Sequence, residues 1–128
     1  MPTNSTTETV RTRGRQDHAG PPAGHRPEPA RDCPLCPRLA AFRHANQARE
    51  PGWFNAPVPC FGDRNGRVLI VGLAPGLQGA NRTGRPFTGD YAGDLLYATL
   101  LQLGFARCTY DRRPDDGLTL VDCRIGNA

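Results

Sequence analysis

Large apolar side chains are almost absent from the first quarter of the chain and become regular only after residue 31. Residues 1–31 consist mainly of Thr, Ser, Gly, Pro, His and Arg. A segment of that composition cannot bury enough surface to offset the entropy lost on ordering. We therefore expect residues 1–31 to form a disordered tail, and residues 32–128 to form part of one small domain.

The first periodic segment of this domain predicts a helix. Leu39 and Phe42, followed by Ala45 or Ala48, form an apolar stripe at helical spacing. Pro37 suits the first turn of a helix, and the Pro-Gly pair at positions 51–52 ends it.

The second half of the chain predicts a strand, a helix and another strand. Residues 68–71 are a continuous apolar run closed by Gly72, which is typical of a strand buried on both faces of a parallel sheet. Leucines at 96, 100 and 103 predict a helix over about 91–103. Alternating apolar residues predict a strand over 118–125, after a polar loop over 106–117. This order is a βαβ unit with parallel strands.

The loop between the first strand and the second helix is the candidate functional region. It is rich in glycine and lacks both the P-loop ending and the dinucleotide pattern G-x-G-x-x-G. Ligands of open α/β sheets bind outside the carboxyl ends of the strands, where this loop begins. Asp90 is its only carboxylate and is also placed to cap the following helix, whereas a surface loop of turn residues is the alternative reading.

The charge of the chain is compatible with a polyanionic partner. The formal net charge is +4, and all basic residues other than histidine are arginine. No apolar run approaches the roughly 18 residues that cross a bilayer, and the N-terminus has no apolar signal region. We therefore expect a cytoplasmic protein without membrane contact.

The five cysteines do not form a disulfide pattern, because their number is odd and no signal peptide is visible. Cys33 and Cys36 form a C-x-x-C pair just before the first predicted helix. A zinc pair, a redox pair and an iron–sulfur pair all share this spacing. The other cysteines are interpreted as structural.

One stretch resembles a known family. The run G-L-A-P-G, followed by G-A-N-R-T-G-R-P-F-T-G-D, resembles the first active-site motif of the iron–sulfur uracil-DNA glycosylases, type 5 (class b). The resemblance implies a three-layer α/β/α fold with a central parallel sheet, incomplete in this chain. It also implies a base-excision-repair enzyme that flips uracil out of DNA and hydrolyses the N-glycosidic bond, and it leaves open which other deaminated bases are accepted. We expect a monomer that acts on uracil-containing DNA.

The resemblance implies roles for individual residues. Asp90 would be catalytic, Phe87 would stack on the flipped base, and Asn127 would read its Watson–Crick edge. Arg82 and Arg85 would contact phosphates. Leu73, Ala74 and Gly76 would form the pocket floor, and Gly72 and Pro75 would also contact the substrate. Asn81, like Arg82, would touch the sugar-phosphate.

The resemblance also implies a [4Fe–4S] cluster, of which Cys33 and Cys36 would supply two ligands. The other two ligands and a histidine-containing second motif would lie beyond Ala128. We therefore expect the chain to be the N-terminal part of a longer domain and to be inactive alone. The alternatives are a non-catalytic DNA-binding remnant, and a zinc- or thiol-containing α/β module whose loop binds a nucleotide phosphate.

Overall fold

The computed structural model describes residues 28–128, so the predicted tail lies almost entirely outside the described residues. Of its last four residues, Glu28 accepts a hydrogen bond from the Cys60 N–H, and Arg31 donates one to the Phe54 carbonyl. The chain thus contacts the domain before residue 32, and the disorder of the tail stays a prediction.

The described residues form helices and short strands in mixed order. The helices are α1 (Pro37–Arg49), α2 (Ala80–Thr83) and α3 (Tyr91–Gln102). The strands are β1 (Phe61–Gly62), β2 (Val68–Gly72), β3 (Ala106–Arg107), β4 (Thr119–Leu120) and β5 (Cys123–Asn127). None of these helices combines the length and the apolar character that a membrane crossing requires.

The principal sheet has the order β1-β5-β2. Strand β5 runs parallel to β2, with Val68 opposite Cys123 and Gly72 opposite Asn127. The predicted βαβ unit is therefore confirmed as β2-α3-β5. The sheet is mixed and not purely parallel, because β1 pairs with the other edge of β5 in the antiparallel sense.

The predicted strand over 118–125 is in fact two strands. Strand β4 pairs with β3, while β5 belongs to the principal sheet. Between them Asp122 adopts a φ of 54°, and its carboxylate accepts hydrogen bonds from the backbone N–H and the side chain of Arg67. An alternating pattern does not reveal this break, because the apolar residues on both sides of the turn face the same core.

Strand β2 is not buried on both faces, contrary to the prediction. Leu69 and Val71 are 63% and 62% exposed. On the opposite face Ile70 packs against the core beside Ile125. Among residues 28–128 no helix packs over the face that carries Leu69 and Val71, so this face is exposed.

The core lies between α3 and β5. Tyr97 and Leu100 of α3 are buried with Cys123 and Ile125 of β5. Helix α3 also approaches the loop before it so closely that a Cβ atom at Gly93 would overlap the carbonyl oxygen of Phe87. The loop that precedes α3 therefore packs directly against this helix and the core.

A buried ion pair joins the loop before α3 to the loop before β4. Both guanidinium nitrogens Nη1 and Nη2 of Arg85 donate to the Asp116 carboxylate at 2.8 Å. The two side chains are only 5% and 1% exposed. The Arg85 guanidinium lies 5.2 to 5.8 Å from the centres of three rings, those of Phe61, Tyr97 and Tyr110.

The surroundings of this pair shift the pKa of both charged and neutral groups. The hydrogen bonds from Arg85 hold the pKa of Asp116 well below its usual range. Burial raises the pKa of the Tyr97 hydroxyl to about 12, so that Tyr97 stays a neutral donor. The Arg85–Asp116 pair is therefore ionised throughout the neutral pH range.

We expect Arg85→Met to lower the free energy of unfolding by about 3–5 kcal/mol, because it leaves the Asp116 carboxylate buried without its cation. Denaturant unfolding at pH 7 measures this difference. Arg113→Met is the matched control, because the Arg113–Asp115 pair is exposed (61% and 73%) and should contribute less than about 1 kcal/mol.

The cost of Arg85→Met should also depend on pH. Since the folded pKa of Asp116 is depressed, the pair stabilises fully above the unfolded pKa of about 3.9 and loses its contribution as the pH falls below that value. The difference in the free energy of unfolding between Arg85→Met and the unsubstituted protein should therefore become smaller below about pH 4. If Arg85→Met and Arg113→Met lowered the free energy of unfolding equally at pH 7, the buried Arg85–Asp116 pair would not have the structural role assigned to it.

Candidate active site

The loop over residues 73–90 leaves the carboxyl end of β2 and leads into α3, as predicted. It contains α2, a single helical turn that the sequence pattern did not reveal. The Asn81 N–H donates to the Gly76 carbonyl, and the Thr83 hydroxyl donates to the Gly79 carbonyl. These bonds fold the first half of the loop back onto itself above the strand.

The second half of the loop is held by buried hydroxyl groups. The Tyr97 hydroxyl donates to the Pro86 carbonyl at 2.6 Å, and the Tyr110 hydroxyl donates to the Phe87 carbonyl at 3.4 Å. The Arg85 Nε–H donates to Thr88 Oγ1 at 2.8 Å. This segment can therefore keep Phe87 at a φ of 52°, a left-handed conformation that is uncommon for an aromatic residue.

The fixed conformation of Phe87 places its ring beside the ends of two strands. A Cβ atom at Gly72 would lie 2.9 Å from the ring atoms Cε2 and Cζ of Phe87, and 2.5 Å from Oδ1 of Asn127. Glycine is required at residue 72 because any side chain would displace both neighbours. The structure thus brings together Gly72, Phe87 and Asn127, three predicted site residues that lie far apart in the sequence.

The side-chain amide of Asn127 has an unused donor. Its Nδ2 atom is buried and has no hydrogen-bond partner within residues 28–128. A buried donor without a partner costs about 1–3 kcal/mol, so such groups in native proteins need an explanation. A ligand carbonyl next to Phe87 would supply the missing acceptor.

Asp90 uses its two carboxylate oxygens differently. Oδ1 accepts a hydrogen bond of 3.0 Å from the Gly93 N–H and caps α3. Oδ2 faces the glycine turn: a Cβ atom at Gly79 would overlap it, and one at Gly76 would lie 3.3 Å away. The capping role and a chemical role are therefore compatible, because each would use its own oxygen.

The backbone from residue 73 to residue 76 forms the exposed rim of the site. Leu73 is 91% exposed, and Ala74, Pro75 and Gly76 are exposed as well. The backbone N–H groups of residues 73, 74 and 76 lie on this rim, and Pro75 has none.

The three polar residues expected near phosphates have different environments. Arg82 is exposed and donates to the Gly89 carbonyl at 3.4 Å. Asn81 is 5% exposed, and its amide donates to Oδ1 of Asn55, so its burial does not favour the expected contact with the sugar-phosphate backbone. The expected phosphate contact of Arg85 is wrong, because its guanidinium is buried against Asp116.

The residues that hold the site were not found from the sequence. Tyr97, Tyr110 and Asp116 lie up to 31 positions from the loop residues that they bind. Tyr97 falls within the predicted helix, and only its hydroxyl group distinguishes it from the other core residues of that helix. The chain neighbours of Arg85 are glycine, proline, threonine and phenylalanine, so the sequence carries no signal for a distant carboxylate partner.

The cysteine pair lies at the start of α1. Cys33 is partly buried and Cys36 is exposed at the N-cap, and both are free thiols. Arg43 donates to the Cys33 carbonyl and fixes the turn between them. Within residues 28–128 no group of three or more potential ligands is assembled, so this pair could provide only part of a metal site.

The other three cysteines belong to no group of three or more potential ligands within residues 28–128. Cys60 and Cys108 are exposed, whereas Cys123 is fully buried in β5. Burial raises the pKa of the Cys123 thiol, which keeps it protonated and apolar.

The fold and this site define an α/β protein in which an aromatic ring and an amide lie at the carboxyl ends of two parallel strands, and a carboxylate lies beside the glycine turn that follows the first of them. Such a set can hold a flat heterocycle by stacking and by paired hydrogen bonds. The carboxylate would lie beside it.

Residues 59–127, more than half of the chain, match the family described as the Uracil DNA glycosylase superfamily. The chain belongs to this superfamily. The family match includes the whole loop and both parallel strands.

Curated relatives carry a more specific name. The type-5 uracil-DNA glycosylase of Thermus thermophilus is 51% identical over 80 residues, which cover 58% of this chain and 36% of the relative. Those of Pyrobaculum aerophilum and Mycobacterium leprae are 43% and 44% identical over 91 and 100 residues, covering 68% and 73% of this chain and 40% and 43% of the relatives. The expected similarity to type 5 is confirmed, and the chain spans about two fifths of the length of these relatives.

Proposed function

We propose that this chain carries the base-binding loop of a DNA glycosylase that removes uracil from DNA in base excision repair. The observation that carries the proposal is the meeting of Phe87, Asn127 and Asp90 around the glycine loop. The similarity to relatives named type-5 uracil-DNA glycosylase supports it.

The base would be bound by the first two of these residues. The Phe87 ring, held beside Gly72, offers a face on which a flipped pyrimidine stacks. The Asn127 amide would donate from its unsatisfied Nδ2 to a uracil carbonyl and accept from the ring N–H through Oδ1. Backbone N–H groups of residues 73, 74 and 76 would donate to the other carbonyl oxygen of the base.

Asp90 would act on the bond that breaks. Hydrolysis separates the base from the anomeric carbon of deoxyribose, the base leaves with the bonding electron pair and gains a proton, and water supplies the hydroxyl that the sugar receives. Positive charge develops on the sugar in this step. A carboxylate whose Oδ2 is turned away from its capping bond can stabilise that charge or orient the water.

The DNA strand would be positioned by phosphate contacts, for which Arg82 is the exposed candidate of the loop. We further propose that the protein works as a monomer in the cytoplasm.

We also propose that Cys33 and Cys36 are two ligands of a [4Fe–4S] cluster whose remaining ligands lie outside the described residues. Both thiols are free, and the turn between them is fixed by Arg43. The fit is partial, since the described residues assemble no larger ligand group. Such a cluster would cross-link the start of α1 to the part of the protein that provides the other thiolates.

The first test replaces Asp90 by asparagine in a protein that includes the complete domain. Asp90→Asn removes the charge but keeps the cap, because asparagine caps helices about as well as aspartate. Uracil excision in single-turnover assays should fall at least about a hundredfold, while the free energy of unfolding changes by less than about 1 kcal/mol. Binding to uracil-containing DNA should persist.

Two comparisons sharpen this test. Asp111→Asn neutralises an exposed carboxylate elsewhere and should leave excision unchanged. Phe87→Ala should weaken both capture of the base and turnover, because a stacking face is lost. Near-normal excision by Asp90→Asn would mean that Asp90 is a cap only, whereas absence of excision by the unsubstituted protein would favour the non-catalytic DNA-binding alternative.

The second test concerns the metal. In a protein that contains the complete domain, Cys33→Ser and Cys36→Ser should each reduce the iron bound per chain severalfold and bleach the visible absorption of the cluster. Cys60→Ser and Cys108→Ser are the matched controls, because both thiols are exposed and should leave the iron content unchanged. Unchanged iron in the first pair would refute the ligand assignment, and stoichiometric zinc in place of iron would favour the alternative zinc module.

A further inference from the structure

A concave surface lies beside the glycine loop, on the side of α2. This groove has a volume of about 580 Å³ and is lined by four arginines and two aromatic residues. The arginines are Arg31, Arg82, Arg112 and Arg113, and the aromatic residues are Trp53 and Phe54. We call it the arginine groove. Its volume is within the range of small-ligand sites and is sufficient for a nucleotide unit.

The four arginines come from distant parts of the sequence. Arg31 lies within the predicted tail, Arg82 is in α2, and Arg112 and Arg113 belong to the polar loop between β3 and β4. Their convergence on one surface is a property of the fold. It could not be read from the even distribution of arginine along the chain.

Two of these arginines carry charges that no described carboxylate neutralises by a salt bridge. Arg31 donates to the Phe54 carbonyl, and its guanidinium lies 4.9 Å from the centre of the Phe54 ring. Arg82 donates to the Gly89 carbonyl. Each guanidinium has five N–H donors, so most of its hydrogen-bonding capacity is left for a ligand.

The other two arginines are oriented by carboxylates. Arg112 pairs with Asp94 of α3, and Arg113 pairs with Asp115. Neither carboxylate is among the residues that line the groove. All charged residues that line the groove are therefore arginines. The ion pairs with Asp94 and Asp115 reduce the net positive charge of this surface.

Trp53 adds a flat surface to this cationic lining. It is half-buried, and it precedes Phe54, whose N–H donates to the Arg82 carbonyl. A basic groove with an aromatic platform is the combination by which proteins hold single strands of nucleic acid: phosphates lie on the arginines, and a base or sugar lies on the ring.

We propose that the arginine groove binds a segment of DNA strand next to the nucleotide that is being repaired, with Trp53 against a base or sugar and the arginines on the phosphates. This proposal rests on the proposed function, because it takes the substrate to be DNA. Arg82 joins the two surfaces: it lines the groove and also bonds to Gly89, the residue before Asp90.

The intrinsic fluorescence of the chain tests this directly, since Trp53 is its only tryptophan. A uracil-free single-stranded oligothymidylate, titrated into the full chain, should quench Trp53 emission with saturation. Inorganic phosphate at the same phosphate concentration should not. Quenching by phosphate alone would overturn the proposal in favour of a simple anion site, and absence of quenching by the oligonucleotide would also overturn it.

Matched double variants separate the groove from the general charge of the protein. Arg112→Gln with Arg113→Gln should weaken oligothymidylate binding about tenfold or more at low salt and reduce the slope of log K against log salt by about 1 to 1.5. Arg38→Gln with Arg107→Gln removes the same charge from exposed positions outside the groove and should change affinity by less than about twofold. Thermal unfolding of both double variants checks that each is folded.

Equal losses in the two double variants would show that only net charge matters and would overturn the proposal. The result is independent of catalysis, because the oligonucleotide contains no uracil. Failure of the Asp90→Asn test would therefore leave the groove assignment intact, and failure of the groove test would leave the excision assignment intact.

Discussion

Two hydrogen bonds of 2.8 Å between Arg85 and Asp116, enclosed by three aromatic rings, hold the loop on which the rest of the site depends. Removing these charges from water costs desolvation free energy. Hydrogen bonds to both side chains and the faces of three rings offset this cost. Thr88 accepts from Arg85, while Tyr97 of α3 donates to Pro86. The pair is thus a geometric constraint more than a source of net stability: it fixes residues 85–88 against the core.

This constraint explains how polar and aromatic groups stay in place at the end of a small, partly exposed sheet. Phe87 keeps a left-handed backbone conformation because its neighbours on both sides, Pro86 and Thr88, are bonded to buried groups. Its ring then closes over Gly72, where β2 ends beside Asn127. Asp90 follows at the start of α3, with one oxygen in the cap and the other facing the glycine turn. Because the loop is already ordered, the site can bind a flat base without losing further conformational entropy of the loop.

Sequence reasoning found the parts of the structure that depend on local pattern. The apolar run over 68–71 and the leucines after Tyr91 predicted β2 and α3, and the parallel pairing followed from their order. It did not find what depends on distant partners. Arg85 looks like a phosphate ligand within its motif, because nothing nearby identifies Asp116, which lies 31 residues away, as its partner. Asn81 likewise looks accessible until its bond to Asn55 is known. The site residues Phe87, Asp90 and Asn127 could be named from the resemblance, but their proximity comes only from the fold.

The central claim is that the glycine loop and the end of β5 together form a pocket for uracil. The most direct measurement follows the side-chain amide signals of asparagine by NMR while free uracil is added. The account predicts that the Asn127 amide signals shift with saturation, because the unsatisfied Nδ2 gains an acceptor, and that 3-methyluracil, which keeps the N1–H but lacks the N3–H, shifts them far less. The amide signals of Asn55 and Asn81, which are bonded to each other, should stay in place. Unchanged Asn127 signals at saturating uracil, or equal shifts of all three amides, would contradict the account.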